Sequence, residues 1–395
     1  MKLPLRWVAV SVFVIASALN YLDRQLLSAL APTLRQEFRL SSENFGWLLS
    51  AFSIPYALAA PAAGLFIDRV GLTRGAVTIV GLWSTVGILT GLASGFHGLI
   101  ACRAALGLVE AGSIPATGKA NALYLLPEER PLGSALSQIG LSTGMVAAPL
   151  LAGWVAELWG WRWAFVVAGA LGFAWIPLWL ATAARVPHTE SPRNREAPPI
   201  RGVLRDPRFW ALIAANMLCM TVYSLWTNWT TEFLVRTRGM SQADVNRQLA
   251  WIPPLVATLG GLFGGALSLR LAQGGLPVHS ARMRVTLLGA ACLLGTAFIP
   301  YLPSAGSAAF GIGASLFCVV TMSVNIYAMP LEIFGAERAA FSVSALSFAY
   351  GAMQTAFSPA AGHVIDRYGF EPVCLAAAVL PLAAVGVLKM AIRES

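Results

Sequence analysis

The chain has 395 residues, of which 57% are hydrophobic and only 11% are charged. Soluble globular domains carry about 25% charged residues, so this composition excludes an ordinary soluble protein and indicates a chain that has lipid as its solvent. The net charge of +9 does not indicate a nucleic-acid partner, because basic loops that face an anionic lipid leaflet account for it.

The apolar residues fall into twelve blocks, each close to the ~20 residues that a helix needs to cross ~30 Å of hydrocarbon. The first block is too long for the core of a signal peptide and has no clean cleavage site, so we interpret it as a retained span. The blocks are also too long for barrel strands, which predicts an all-α membrane protein with twelve transmembrane helices. In chain order these spans are predicted at residues 7–30, 45–67, 76–95, 98–120, 132–156, 162–184, 209–233, 250–271, 283–302, 305–330, 340–364 and 371–391.

Basic residues predict the orientation of the spans. Most of the Lys and Arg residues between the blocks fall on the same side as the N-terminus, so the positive-inside rule places both termini in the cytoplasm. The longest predicted cytoplasmic loop is polar and rich in Pro, and it separates six spans from six. We therefore predict an N-terminal six-helix bundle at residues 1–184, a linker at 185–208 and a C-terminal six-helix bundle at 209–395.

A short repeat indicates that the two bundles are pseudo-symmetric. The second span ends in Pro61-Ala-Ala-Gly64-Leu-Phe-Ile-Asp68-Arg69-Val-Gly71, and the eleventh ends in Pro359-Ala-Ala-Gly362-His-Val-Ile-Asp366-Arg367-Tyr-Gly369. These two spans occupy corresponding places in the two halves, as expected after an internal duplication.

The loop after the second span resembles the loop signature of the major facilitator superfamily. It contains Gly64-x-x-x-Asp68-Arg69-x-Gly71-x-x-Arg74, whereas the second-half copy, Gly265-Ala-Leu-Ser-Leu-Arg270, keeps a basic residue without the Asp. The resemblance implies transport by alternating access between two six-helix bundles. It also implies a gating or structural role for Asp68, Arg69 and Arg74.

Three further stretches resemble the anion:cation symporter family, which includes transporters of hexuronates and aldonates. They are Asn20-Tyr21-Leu22-Asp23-Arg24, the segment from Arg103 through Glu110 to Pro115, and Gly160-Trp161-Arg162-Trp163-Ala-Phe165. This resemblance implies symport of a small organic anion with protons, and no cofactor besides the proton. We expect a monomer in the inner membrane of a bacterium.

Four ionisable residues lie deep within the predicted spans: Asp23 and Arg24 in the first, Arg103 and Glu110 in the fourth. A charge at mid-membrane costs at least a few kcal/mol, so such residues are expected to pair or to line a wet cavity. Arg103 and Glu110 are seven residues apart and share nearly one helix face. Because the first and fourth spans are neighbours in the resembled fold, we expect one shared site.

This arrangement predicts a role for each charge. Arg24 is expected to bind the substrate carboxylate, because a guanidinium matches a carboxylate and stays charged. Asp23 and Glu110 are expected to carry protons, since burial disfavours a charged acid and a nearby arginine favours it. Arg103 is expected to be the partner that switches between them in the substrate site. The alternative is a static buried ion-pair network that fixes helix packing.

Polar residues in other spans are candidates for binding the hydroxyl groups of a sugar acid. Tyr56, Gln138, Tyr327 and Ser347 match cavity-facing positions of the resembled family, although Tyr327 stands where Trp is common and Ser347 where Asn is common. Lys119, towards the cytoplasmic end of the fourth span, is either a gating residue or a side chain that reaches the membrane interface.

Other functional classes find less support. The chain has no phosphate-binding loop and no cluster of nucleophiles or metal ligands at one membrane face, so we predict that it is not an enzyme. A drug antiporter would favour acids without arginines in its cavity, and Arg24 and Arg103 argue against it. A uronate or aldonate is the best substrate hypothesis, while monocarboxylates, inorganic anions and acidic amino acids stay open.

Overall fold

The computed structural model describes residues 5–126, 128–186 and 201–392, and these residues contain helices and no strands. The described helices of the first half of the chain are α1 (Leu5–Ala29), α2 (Ala31–Phe38), α3 (Ser42–Val70), α4 (Leu72–Gly91), α5 (Phe96–Glu110), α6 (Ser113–Tyr124), α7 (Arg130–Trp159) and α8 (Trp161–Ala183).

The second half is built in the same way. Its described helices are α9 (Arg201–Arg205), α10 (Pro207–Arg238), α11 (Gln242–Gln248), α12 (Ile252–Gln273), α13 (Val278–Leu293), α14 (Ala305–Phe334), α15 (Ala336–Tyr368) and α16 (Glu371–Ala391), with a 3-10 helix at Leu294–Tyr301.

Local chemistry sets several helix ends. The Ser41 hydroxyl accepts a hydrogen bond from the Asn44 backbone N–H at the start of α3. At the start of α10, the Asp206 carboxylate accepts a hydrogen bond from the Arg208 backbone N–H. Gly71 and Gly160 end α3 and α7 at φ values of +84° and +89°, which favour glycine.

The prediction of an all-α, multi-pass membrane protein is confirmed, but twelve spans are not. Among the described residues, ten helical segments are long and apolar enough to cross a membrane. The helix α3 adds an eleventh only if its two parts, bent by 51°, count as one span. The helix at the eleventh predicted span, α15, has 33 residues, but polar residues dilute its apolar character and it is not among these segments.

Internal contacts divide the chain into two compact units. Unit 1 contains Met1–Arg193 and Ser241–Trp251, and unit 2 contains Asn194–Met240 and Ile252–Ser395. Most of the predicted linker, residues 187–200, lies outside the described residues. The short helix α11 lies within the predicted C-terminal bundle, whereas its contacts group it with unit 1.

Specific polar contacts explain the position of α11. The Asn246 side chain donates a hydrogen bond of 2.8 Å to the carbonyl oxygen of Ala29 at the end of α1. Arg247 forms an ion pair with Glu157 at 2.6 Å and stacks over the Trp154 ring. Because Glu157 and Trp154 are on α7, these contacts join α11 to two helices of unit 1.

The core of unit 1 is aromatic around α1 and α8. Phe13 packs edge-on against Trp175 and Trp179, with ring centroids 5.6 and 4.7 Å away, and all three side chains are buried. The Trp175 indole N–H also donates to the carbonyl oxygen of Val12 at 2.7 Å. These contacts fix α1, which carries two of the four deep charges.

Unit 2 has a close helix pair of its own, α12 and α14. A Cβ added at Gly260 would lie 2.7 Å from the Cα of Phe317, so the two helix backbones touch there. The Thr321 hydroxyl, one turn further along α14, donates to the carbonyl oxygen of Gly260 at 2.8 Å. Small residues thus let helices pack at backbone distance, as is common in membranes.

Candidate functional site

The four deep charges come together within unit 1. Arg24 on α1 donates a hydrogen bond from Nε to Oε2 of Glu110, the last residue of α5, at 2.7 Å. The Glu110 side chain is fully buried, and 15% of the Arg24 side chain is exposed. Asp23 and Arg103 are buried as well, and Asp23 interacts electrostatically with both Arg103 and Glu110.

Helical spacing and one glycine place the fourth-span charges. Arg103, Gly107 and Glu110 are separated by four and three residues, so they lie on one face of α5. A Cβ at Gly107 would lie 3.1 Å from the carbonyl carbon of Phe52 and 3.2 Å from the nitrogen of Tyr56. The backbones of α5 and α3 therefore touch at the centre of the site.

Aromatic rings surround Arg24. Its guanidinium carbon lies 5.0 Å from the ring centroid of Tyr21, 4.8 Å from that of Phe52 and 4.4 Å from that of Tyr56. The guanidinium carbon of Arg103 lies 4.9 Å from the same Phe52 ring. Such contacts attract a cation to the face of a ring.

Sequence reasoning selected Tyr56 but missed Tyr21 and Phe52. An aromatic residue in an apolar span is most often a packing residue, and the sequence around it does not show when an arginine from another helix lies over its ring. Two spacings could have indicated these rings. Tyr21 is three residues before Arg24 on α1, and Phe52 is four residues before Tyr56, which puts each pair on one helix face.

Several buried polar atoms of the site have no hydrogen-bond partner in the described part of the protein: both carboxylate oxygens of Asp23, Oε1 of Glu110, Nη2 of Arg24 and Nε of Arg103. Buried polar groups are nearly always paired, because an unpaired one costs about 1–3 kcal/mol. Arg24 uses its Nε for Glu110, so Nη2 remains able to donate to a second carboxylate. The acids, in turn, remain able to accept protons.

The remaining predicted substrate contacts are distributed over both units. Tyr56 is half-buried beside Arg24, and Gln138 is exposed on α7. Tyr327 is half-buried on α14 of unit 2. Ser347 is exposed on α15 of the same unit, where its hydroxyl donates to the carbonyl oxygen of Val343 at 3.2 Å.

Lys119 connects α6 to the end of α3. Its ammonium group donates to Oδ1 of Asp68 at 2.8 Å and to the carbonyl oxygen of Ile67 at 3.0 Å. A cation at the C-terminal end of a helix also interacts favourably with the helix dipole. Arg69 and Arg74, the other residues of the predicted gating group, are exposed.

Within the described residues, no group of three His, Cys, Asp or Glu side chains could hold a metal ion.

Comparison with known proteins adds family information to this geometry. The family model described as Major Facilitator Superfamily matches residues 13–352. The hexuronate transporter of Escherichia coli K12 is 26% identical, over 96% of this chain and 92% of its own. An MFS-type efflux pump of Mycolicibacterium smegmatis is 32% identical, over 68% of this chain and 63% of its own.

A solved structure has the same fold. The crystal structure of a bacterial homologue of the human lysosomal transporter Spinster, in an inward-facing and occupied conformation, matches with a TM-score of 0.77. The match covers 99% of this chain and 96% of that one, at 21% sequence identity. At this identity the likeness shows the fold alone.

Proposed function

The chain belongs to the major facilitator superfamily, and we propose that it is a proton-coupled symporter of a small organic anion, a sugar acid of the hexuronate or aldonate class. The observation that carries the proposal is the buried ion pair of Arg24 and Glu110, with Asp23 and Arg103 beside it. The proposal includes twelve spans, both termini in the cytoplasm, a monomer, and a place in a bacterial inner membrane.

Charge balance supports coupling between the anion and a proton. With both acids ionised and both arginines protonated, the four side chains carry no net charge. A substrate carboxylate that replaces Glu110 on Arg24 brings an unbalanced negative charge into a poorly solvated site, which is costly. A proton on Asp23 or Glu110 removes that cost, so proton and anion each strengthen the binding of the other.

The sugar-acid class is supported by both the site and the relatives. Two arginines favour an anion, and Tyr56, whose ring lies 4.4 Å from the guanidinium carbon of Arg24, is proposed to bind hydroxyl groups of the substrate. Gln138, Tyr327 and Ser347 are proposed as further contacts. A relative that matches over 96% of this chain is named as a hexuronate transporter.

Proton-linked drug antiport is the second candidate. The efflux pump at 32% identity favours it, and the aromatic residues around Arg24 would suit an apolar substrate. The two buried arginines argue against it, because a cationic drug would be repelled. Monocarboxylates, inorganic anions and acidic amino acids are alternative anions for the same symport mechanism.

Uptake into proteoliposomes tests the proposal. A panel of labelled glucuronate, galactonate, lactate, sulfate and aspartate is offered with an inward proton gradient, with and without a protonophore. We expect gradient-dependent accumulation of a uronate or aldonate, and none with Arg24→Ala. The exposed Arg205→Ala serves as the matched control and should transport normally. Uptake that is unaffected by collapsing the gradient would exclude proton symport.

A further inference from the structure

We infer that Phe52 is a positioning residue for transport: its ring holds both arginines of the site and lets Arg24 exchange Glu110 for the substrate carboxylate. The inference rests on the proposed function and deepens it, because it assigns the exchange step to a side chain that carries no charge.

The ring of Phe52 contacts both cations. The guanidinium carbons of Arg24 and Arg103 lie 4.8 and 4.9 Å from its centroid. The ring also stacks on Tyr56, with centroids 5.5 Å apart and planes inclined by 23°, and only 8% of Phe52 is exposed. The same ring therefore lies against both guanidinium groups.

The backbone of Phe52 is held as firmly as its ring. The backbones of α3 and α5 touch where Gly107 faces the carbonyl group of Phe52. Arg103 and Glu110 lie one turn to either side of Gly107 on α5. The ring thus projects from a fixed point into the space that the two arginines share.

The physics of the contact suits an exchange of partners. A hydrogen bond to a carboxylate weakens steeply with angle and distance, whereas a cation is attracted to a ring face at distances of up to about 6 Å from the centroid. Arg24 can therefore leave Glu110 for a second carboxylate while it remains over the ring. The negative face of the ring also attracts both guanidinium groups, which offsets part of their mutual repulsion in a poorly solvated site.

One experiment distinguishes the proposed positioning role of Phe52 from a simple packing role. Phenylalanines with one, two and three ring fluorines are placed at position 52, which weakens the negative face of the ring in steps and leaves its shape nearly unchanged. We expect KM for the transported acid to rise with each fluorine, to roughly tenfold for three, with protein yield and Tm unchanged. A packing residue would leave KM constant across the series.

Phe13 provides the matched control. It is buried in the same unit and packs on Trp175 and Trp179, so fluorination there should leave KM constant. Phe52→Tyr, which keeps the ring face, should transport, whereas Phe52→Leu should show a raised KM. A flat fluorine series at position 52, in a protein whose uptake still follows the proton gradient, would overturn this inference and leave the proposed function standing. Absence of gradient-driven uptake in the unsubstituted protein would overturn both.

Discussion

Replacing Gly107 by Ala would place a methyl group between two helix backbones. The added Cβ would lie 3.1 Å from the carbonyl carbon of Phe52, 3.2 Å from the nitrogen of Tyr56, and closer still to the Phe52 carbonyl oxygen. Ordinary van der Waals contact begins at 3.4 Å. All three atoms belong to the backbone of α3, so no side chain can rotate away, and α5 must shift by about 1 Å.

The shift should affect both stability and transport. Overpacking of this kind costs about 1–3 kcal/mol, which corresponds to a fall in Tm on the order of 2–12 °C for a unit of this size. A movement of about 1 Å would also lengthen the 2.7 Å contact between Arg24 and Glu110 beyond hydrogen-bond distance. We expect uptake to fall about tenfold or more, because a buried ion pair loses much of its stabilisation when its geometry is broken.

Thermal unfolding in detergent and uptake by proteoliposomes measure these two effects. Gly118→Ala is the matched control on the same predicted span, since a Cβ there meets no atom within 4 Å. It should leave Tm and uptake unchanged. If Gly107→Ala behaves like Gly118→Ala in both assays, the argument from close helix approach is refuted.

Two further predictions concern unit 1 outside the charged site. Asn246→Ala should lower the free energy of unfolding by about 1–3 kcal/mol, because it removes the buried hydrogen bond to the Ala29 carbonyl. The control Gln248→Ala, at an exposed residue of the same helix, should change the free energy of unfolding by less than about 0.5 kcal/mol. Equal effects of the two substitutions in a denaturation assay would contradict the contact. Burial raises the pKa of Glu37, but hydrogen bonds from Arg162 and Trp161 outweigh burial and hold its pKa below the ordinary value. Glu37 therefore stabilises the protein above the ordinary glutamate pKa, and this contribution is lost as pH falls through the lowered value. Between about pH 7 and about pH 3, Tm should consequently fall more in the unsubstituted protein than in Glu37→Gln, and an equal fall in both would contradict the contact.

The charged residues of the site could be found from sequence because each one is costly in a membrane. Asp23, Arg24, Arg103 and Glu110 stand within long apolar runs, so their physical cost identified them. Their grouping was predicted from the resembled family, in which the first and fourth spans are neighbours. The observed pair of Arg24 and Glu110 agrees with that grouping. Their roles in binding and proton transfer stay predictions.

Only part of the aromatic surroundings could be found in this way. Tyr21 is three residues before Arg24 on α1, so helical spacing is enough to indicate that contact. Only the tertiary packing places Phe52 against the two arginines. The same reason hid the position of α11. Its short polar sequence carries no mark of the contacts that Asn246 and Arg247 make with unit 1.

Hydropathy predicted the helices better than the number of spans. The fourth predicted span is a single apolar block, yet it is divided into two helices. The first, α5, ends at Glu110, and the second, α6, begins at Ser113. The eleventh forms a long helix, α15, although its polar residues keep it outside the apolar segments. Both features depend on packing against neighbouring helices, which a hydropathy pattern does not report.

The central claim is that buried acids couple proton movement to an anion held by arginine. It is tested most directly by comparing substrate exchange with gradient-driven accumulation in Asp23→Asn and Glu110→Gln, with the exposed Glu371→Gln as a control. We predict that both acid variants exchange labelled substrate across the membrane but no longer accumulate it when a proton gradient is imposed. Accumulation at the unsubstituted level in both variants would contradict the claim.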